Sequence, residues 1–219
     1  MKVVNIFKSI QGEGPDMGKQ AVFVRFGGCN LSCSFCDTKY ALGTAGEEMS
    51  ESQIRDAIYE LDSTPHLIIF TGGEPMLQYD EIGTFGFPFY TEFAIETNGK
   101  LPPQGGTFGM GMHCVVSPKL GSAVKNGYTM SSLLQWAEQE SVVFKFVVTC
   151  REDLDEISEI LHYIPNVLLI ILQPNGQTDD YALALRELYG WVENWNLRYR
   201  VQILPQLHRI MWGKDARGI

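Results

Sequence analysis

Positive charge is scarce in this chain of 219 residues: 17 Lys and Arg stand against 26 Asp and Glu, a formal net charge of −9. Nucleic-acid affinity is largely electrostatic and needs a basic patch, so DNA and RNA are not expected ligands. Long apolar runs are missing too. Segments such as Val167 to Leu172 fall far short of the ~20 residues that a membrane span requires. The N-terminus Met1-Lys2-Val3-Val4-Asn5 has no signal-peptide pattern, and the expected location is the cytoplasm, away from membranes. Low-complexity tracts and internal repeats are absent, and 45% hydrophobic with 20% charged residues is the composition of an ordinary globular protein. The length fits one domain over residues 1–219.

Cysteines are few, five in all, which fits a reducing compartment better than a disulfide framework. Cys114 and Cys150 lie in or beside apolar segments and read as small buried hydrophobes. The other three form Cys29-Asn30-Leu31-Ser32-Cys33-Ser34-Phe35-Cys36, a CxxxCxxC spacing. What this cluster lacks is a fourth ligand. Thiolates select zinc, copper(I) or iron-sulfur clusters, and closed structural sites take four protein ligands. Three thiolates leave one coordination position open to a ligand and to chemistry. The alternative is a non-enzymatic module with structural zinc, completed by His66, His113 or Cys114. Zinc ribbons, however, pair CxxC units in small domains that need metal to fold, whereas this cluster interrupts a large core just after its first strand.

Short β-branched and aromatic runs recur at 21–26, 66–70, 93–96, 113–117, 142–149, 167–172 and 198–204. Helical patterns separate several of them. The clearest has Ile54, Ala57, Ile58 and Leu61 on one face, with Ser50 as N-cap and Gln53 three residues on; others fall at 131–138, 151–161 and 180–192. Alternating strands and helices predict an α/β fold with a mostly parallel sheet. Each strand ends in a polar, Gly-bearing or Pro-bearing segment, and parallel strands put those ends on one face, where such folds bind ligands. The stretch from Tyr79 to Gly111 has little helical period, so at least one barrel helix is expected to be missing and the barrel to be incomplete.

The cysteine motif, with aromatic Phe35 before its last Cys, together with Thr71-Gly72-Gly73-Glu74-Pro75, resembles the radical S-adenosylmethionine superfamily. The resemblance implies a 4Fe-4S cluster on Cys29, Cys33 and Cys36 whose open iron chelates S-adenosylmethionine; reductive cleavage then yields a 5'-deoxyadenosyl radical that removes hydrogen from substrate. It implies a partial TIM-like β/α barrel as the core. Glycines at 72 and 73 would let backbone approach the methionine amino group.

Further motifs, Phe7-Lys8-Ser9-Ile10-Gln11-Gly12-Glu13-Gly14, Phe23-Val24-Arg25-Phe26, Cys36-Asp37-Thr38 and the tail Leu204-Pro205-Gln206-Leu207-His208-Arg209, resemble the 7-carboxy-7-deazaguanine synthase family over nearly the full chain. That resemblance implies ring contraction of a small-molecule pterin, 6-carboxy-5,6,7,8-tetrahydropterin, with loss of ammonia, on the route to queuosine and other 7-deazapurines. A pterin has a flat donor/acceptor edge and an anionic carboxylate. Gln11 and Glu13 can partner the edge and Arg25 the carboxylate. The resemblance places Ile10, Gly12 and Thr71 against substrate as well, with His208 and the chain end Ile219 closing over it. It places Phe35, Cys36, Asp37, Gly73, Glu96, Asn98, Ser117, Pro118, Lys119, Gln173, Pro174 and Asn175 on the cofactor, and magnesium at Thr38. It also implies a flavodoxin-like reductant and a homodimer. Hydrogen abstraction belongs to the cofactor radical, so no side chain is assigned as catalytic. A glycyl-radical activating enzyme is the alternative in the same superfamily; the Gln11, Glu13 and Arg25 constellation, suited to a small anionic heterocycle, argues against it.

Overall fold

The computed structural model describes residues 1–82, 86–104, 112–164, 167, 169–195 and 199–216. Its elements in chain order are β1 (Lys2–Ile10), β2 (Gln20–Phe26), β3 (Glu47–Glu48), α1 (Glu51–Leu61), β4 (Leu67–Gly72), β5 (Glu92–Thr97), β6 (Met112–Val116), α2 (Met130–Ala137), β7 (Val142–Val148), α3 (Glu152–Tyr163), β8 (Leu169–Pro174), α4 (Tyr181–Glu193), β9 (Arg200–Ile203) and α5 (Leu207–Trp212). The strands form one sheet in the order β3-β1-β2-β4-β5-β6-β7-β8-β9. From β2 through β9 neighbouring strands are parallel, and only β1 runs antiparallel to its neighbours. The outer strands β3 and β9 do not meet, which leaves the expected incomplete barrel. No helix is long and apolar enough to cross a membrane among the described residues.

Side-chain alternation along each strand divides the molecule. Val22, Val24, Phe26, Ile68, Phe70 and Ile95 point outward and are buried with Ile54 and Ile58 of α1, Leu133 and Trp136 of α2, and Ile157 and Ile160 of α3. Each such side chain contributes ~1.5–3 kcal/mol by leaving water. The alternate residues Ala21, Phe23, Leu67, Ile69 and Ala94 form a small apolar cluster on the concave side. Farther along the same strands, on that same side, stand Arg25, Thr71 and Glu96.

α1 begins as its sequence predicts. Ser50 Oγ accepts from Gln53 N, and Gln53 Oε1 accepts from Ser50 N at 2.8 Å, a reciprocal cap. Replacing Ser50 by Ala should lower stability by about 1 kcal/mol, read as an earlier urea midpoint at unchanged slope.

Three elements were not foreseen: β1, α5 and the two-residue strand β3 that pairs with β1. β1 pairs with β2 through a turn at 11–19, and α5 follows β9. No α-helix joins β4 to β5 or β5 to β6 among the described residues, only a 3-10 segment over Pro75–Glu81, in line with the weak helical period there.

Candidate active site

The C-terminal strand ends, the turn after β1, the cysteine loop and the segment after β9 enclose a cavity of about 450 Å³. Cys29, Cys33 and Cys36 are half-buried free thiols in its wall. Burial pushes each thiol's pKa up, while the Lys119 ammonium works the other way. The loop is held by backbone bonds on both sides: Gly28 N donates to Ala41 O at 2.8 Å, Glu74 N to Gly28 O at 2.8 Å and Ser34 N to Ala123 O at 3.0 Å.

Both glycines after β4 have a packing cause. A Cβ at Gly73 would lie 1.8 Å from Gly28 O. Gly72 has φ +130°, and a Cβ there would lie 2.2 Å from Phe26 O. The end of β4 therefore presses on the start of the cysteine loop. Glu74, 0% exposed, accepts from Met76 N at 3.0 Å, Thr97 Oγ1 at 2.7 Å and Asn98 N at 2.7 Å. Asn98 in turn donates through Nδ2 to Asn30 Oδ1 at 2.7 Å, so the Gly-Gly-Glu-Pro turn positions the cysteines through β5.

The opposite wall is charged. Glu96 accepts from Gln11 Nε2 and from Thr71 Oγ1, each at 2.8 Å. Glu13 pairs with Lys145 of β7, accepts from Gln206 Nε2 at 2.7 Å, and has His208 Nε2 at 3.9 Å. Burial alone would push the Glu13 carboxyl up; Lys145 and His208, with hydrogen bonds from Lys145 and Gln206, outweigh it and hold the pKa down to about 2. His208 packs so closely on the turn after β1 that a Cβ at Gly12 would meet its Nδ1 at 2.1 Å, and Leu207 N donates to Gly12 O at 2.9 Å. Arg25 lies between the Phe7 and Tyr40 rings, 5.2 and 5.5 Å from their centroids. Its Nη1 donates to the Tyr40 hydroxyl and, at 3.5 Å, to Thr38 Oγ1, while its buried Nε has no partner among the described residues.

Residues 23–103 match the Radical SAM superfamily. The chain is 31% identical to the 7-carboxy-7-deazaguanine synthase of Pyrobaculum aerophilum, over 100% of this chain and 97% of that one. Identity to the synthase of Thermoplasma acidophilum is 31% over 100% of both chains, and to that of Hyperthermus butylicus 32% over 96% and 92%. The chain belongs to the 7-carboxy-7-deazaguanine synthase family. In fold it is similar to the crystal structure of QueE from Escherichia coli, with TM-score 0.63 over 92% of each chain at 20% identity.

As a radical SAM enzyme, this family member works with a 4Fe-4S cluster and S-adenosylmethionine, and its residues fit both. Among the described residues, no set containing the three thiols brings its ligand atoms within 4.8 Å of one another. A lone tetrahedral zinc with bonds near ~2.3 Å needs its sulfurs about 4 Å apart; wider spacing suits a cluster in which each thiolate takes a different iron.

Of the residues assigned from the sequence, Ile10, Gln11, Gly12, Glu13, Arg25, Thr71 and His208 all line this same cavity. Phe35, Asp37, Thr38, Gly73, Glu96, Asn98, Ser117, Lys119 and Asn175 share it with the three cysteines. Pro118, Gln173 and Pro174 are not part of its lining, and Gln173 instead donates through Nε2 to Pro205 O at 3.0 Å. Ile219 lies outside the described residues. Glu96, assigned to the cofactor ribose, has both oxygens engaged by Gln11 and Thr71, two residues assigned to the substrate. Lys145, Gln206, Tyr40 and Phe7 line the cavity and were not assigned. For Lys145 there was a signal, a lone Lys in the strand Val-Val-Phe-Lys-Phe-Val-Val, since charged residues are seldom buried unless paired.

Proposed function

We propose that this enzyme contracts the ring of 6-carboxy-5,6,7,8-tetrahydropterin to 7-carboxy-7-deazaguanine with loss of ammonia. The observation that carries the reading is Arg25: a guanidinium beside two aromatic rings, bonded among the described residues only to hydroxyl oxygens, and open to the cavity. A planar fork so held suits a carboxylate taken up from solution. In the same cavity, Gln11 and Glu13 present amide and carboxylate groups to a heterocycle edge. Gln11 is oriented by Glu96, whose other oxygen is fixed by Thr71. His208 and Gln206 bring the chain segment after β9 to the same space.

When bound, the cluster and S-adenosylmethionine supply the radical that removes a hydrogen atom from substrate. The chain's own part is placement, since such a reaction needs one C–H bond in near-attack contact. Parallel strand ends, held by the Glu74 and Asn98 bonds, provide that rigidity. Magnesium belongs to the same proposal. Thr38 would supply a hydroxyl oxygen, a donor this cation accepts while keeping waters and substrate oxygens, and its Oγ1 lies beside Arg25 in the cavity wall. A flavodoxin-like reductant, a homodimer and a cytoplasmic setting complete the reading.

The test is turnover. Anaerobically reconstituted protein with dithionite, S-adenosylmethionine and 6-carboxytetrahydropterin should give 7-carboxy-7-deazaguanine and 5'-deoxyadenosine by mass spectrometry. Deoxyadenosine without the deazaguanine would remove the substrate and leave the superfamily chemistry.

A further inference from the structure

We infer that Lys145 is the positioning residue for Glu13, and that through Glu13 it sets the preference of the site for a ligand edge bearing an amino group. The inference rests on the pterin reading above. Lys145 stands on the concave face of β7, between Phe144 and Phe146, which turn outward into the core. It is 7% exposed. Its ammonium meets one oxygen of Glu13 while Gln206, from the segment after β9, donates to the other. The backbone of Glu13 is fixed as well, its N donating to Gln11 Oε1 at 3.0 Å. Two separate parts of the chain thus converge on one carboxylate, and a local bond holds the backbone that carries it.

Glu13 sits in a turn, between the end of β1 and a short 3-10 segment at Gly14–Asp16, with no strand of its own to aim it. β7 supplies the aim. Lys145 also supplies the charge that a buried carboxylate needs, because desolvation drives an unpaired acid neutral. The other groups facing the pair are His208 of α5, Glu96 of β5, Asp37 of the cysteine loop, Lys119 after β6 and Tyr181 of α4. Glu96 and Asp37 favour the ammonium and Lys119 opposes it; burial also opposes it, and Lys145 nonetheless keeps a raised pKa. The pair is therefore an ion pair.

An ionised carboxylate accepts from two N–H groups side by side, whereas a neutral acid must place its own proton among them. A 2-aminopyrimidinone edge offers such a pair of N–H donors. Replacing the amino group by a carbonyl turns one donor into an acceptor, which faces the carboxylate unfavourably. Discrimination between the two edges, compared between wild type and Lys145 variants, reads out the state and aim of Glu13. A role of Lys145 in general stability would weaken both ligands equally.

The experiment uses holoenzyme loaded with its cluster and S-adenosylmethionine and kept unreduced, so that nothing turns over. Fluorescence titration compares 6-carboxypterin with 6-carboxylumazine, which carries oxygen in place of the 2-amino group. Wild type should prefer the pterin by at least ~30-fold, since a mismatched buried hydrogen-bonding group costs about 2 kcal/mol or more. Lys145→Met should bring the two affinities within about twofold by removing that term, and Lys145→Arg should recover most of the preference. If Lys145→Met does not fold, Lys145→Gln, which drops the charge and keeps a donor, should show the same loss. A preference unchanged in the variant that folds would overturn the inference and leave the pterin reading standing. Wild type that binds neither compound would overturn the reading and the inference with it.

Discussion

Glu74→Ala is expected to cost about 3–6 kcal/mol of folding stability, because it strands three buried donors at ~1–2 kcal/mol each. The side chain is fully buried, and its two oxygens serve Met76 N, Thr97 Oγ1 and Asn98 N. Against a total stability of ~5–15 kcal/mol for a typical domain, that loss leaves little, and urea unfolding should show a much earlier midpoint. The site suffers before the fold does. Asn98, no longer fixed by Glu74, loses its hold on Asn30 in the cysteine loop, so iron bound per chain after reconstitution should fall as well. Glu74→Gln separates shape from charge. Its carbonyl oxygen can serve Met76 and Thr97, but its amide NH2 then faces the Asn98 N–H, donor against donor, and a smaller deficit remains. Burial raises the pKa of Glu74 above its ordinary value of 4.5, against the hydrogen bonds that lower it. A raised folded pKa gives stability that is full below pH 4.5 and declines as pH climbs through the folded value. Glu74→Gln has no such decline, so its deficit relative to wild type should narrow as pH rises from 4.5. A deficit that widened would show the carboxylate to be stabilised as an anion.

Legibility in the sequence followed how local the cause was. The three cysteines and the Gly-Gly-Glu-Pro turn are contiguous and were readable. α1 was also readable, down to the Ser50 and Gln53 cap. β1 was not. Lys2–Ile10 interleaves Lys, Asn and Ser with its apolar residues and is mostly half-exposed, so it lacks the dense β-branched pattern of the buried parallel strands; its pairing with β2 is what makes it a strand. α5, at six residues, is too short for a period to register. The Glu13 and Lys145 pair spans 132 positions of sequence, and neither residue announces the other. Its trace is negative, a Lys where the alternation of β7 leaves no solvent for it. Arg25 leaves the same trace in Phe-Val-Arg-Phe of β2. The glycines at 72 and 73 were assigned to ligand approach, and the structure adds a nearer cause, the Phe26 and Gly28 carbonyls against which no side chain fits.

Arg25→Ala should weaken binding of a 6-carboxylated pterin by about 100-fold to 1,000-fold, the ~3–4 kcal/mol of a desolvated charge-assisted pair. The guanidinium is half-buried beside Phe7 and Tyr40, and its Nη1 is bonded to neutral hydroxyls. Its Nε has no partner among the described residues. A partly desolvated cation without an anion is costly, so a ligand carboxylate would complete the site, and loss of the cation should raise the stability of the empty protein or leave it unchanged. That combination distinguishes a binding cation from a structural one, which would lower stability when removed. Arg25→Lys should recover only part of the affinity: an ammonium restores charge without the planar fork or the stacking between the two rings. Fluorescence titration of the loaded, unreduced enzyme with 6-carboxypterin and with pterin lacking the carboxylate measures the effect as a ratio. In wild type the carboxylate should account for most of the affinity, and in Arg25→Ala the two ligands should bind nearly alike. A ratio that survives the substitution, or a variant that no longer assembles its cluster, would move Arg25 from the substrate to the scaffold and leave the carboxylate without an assigned partner in the cavity.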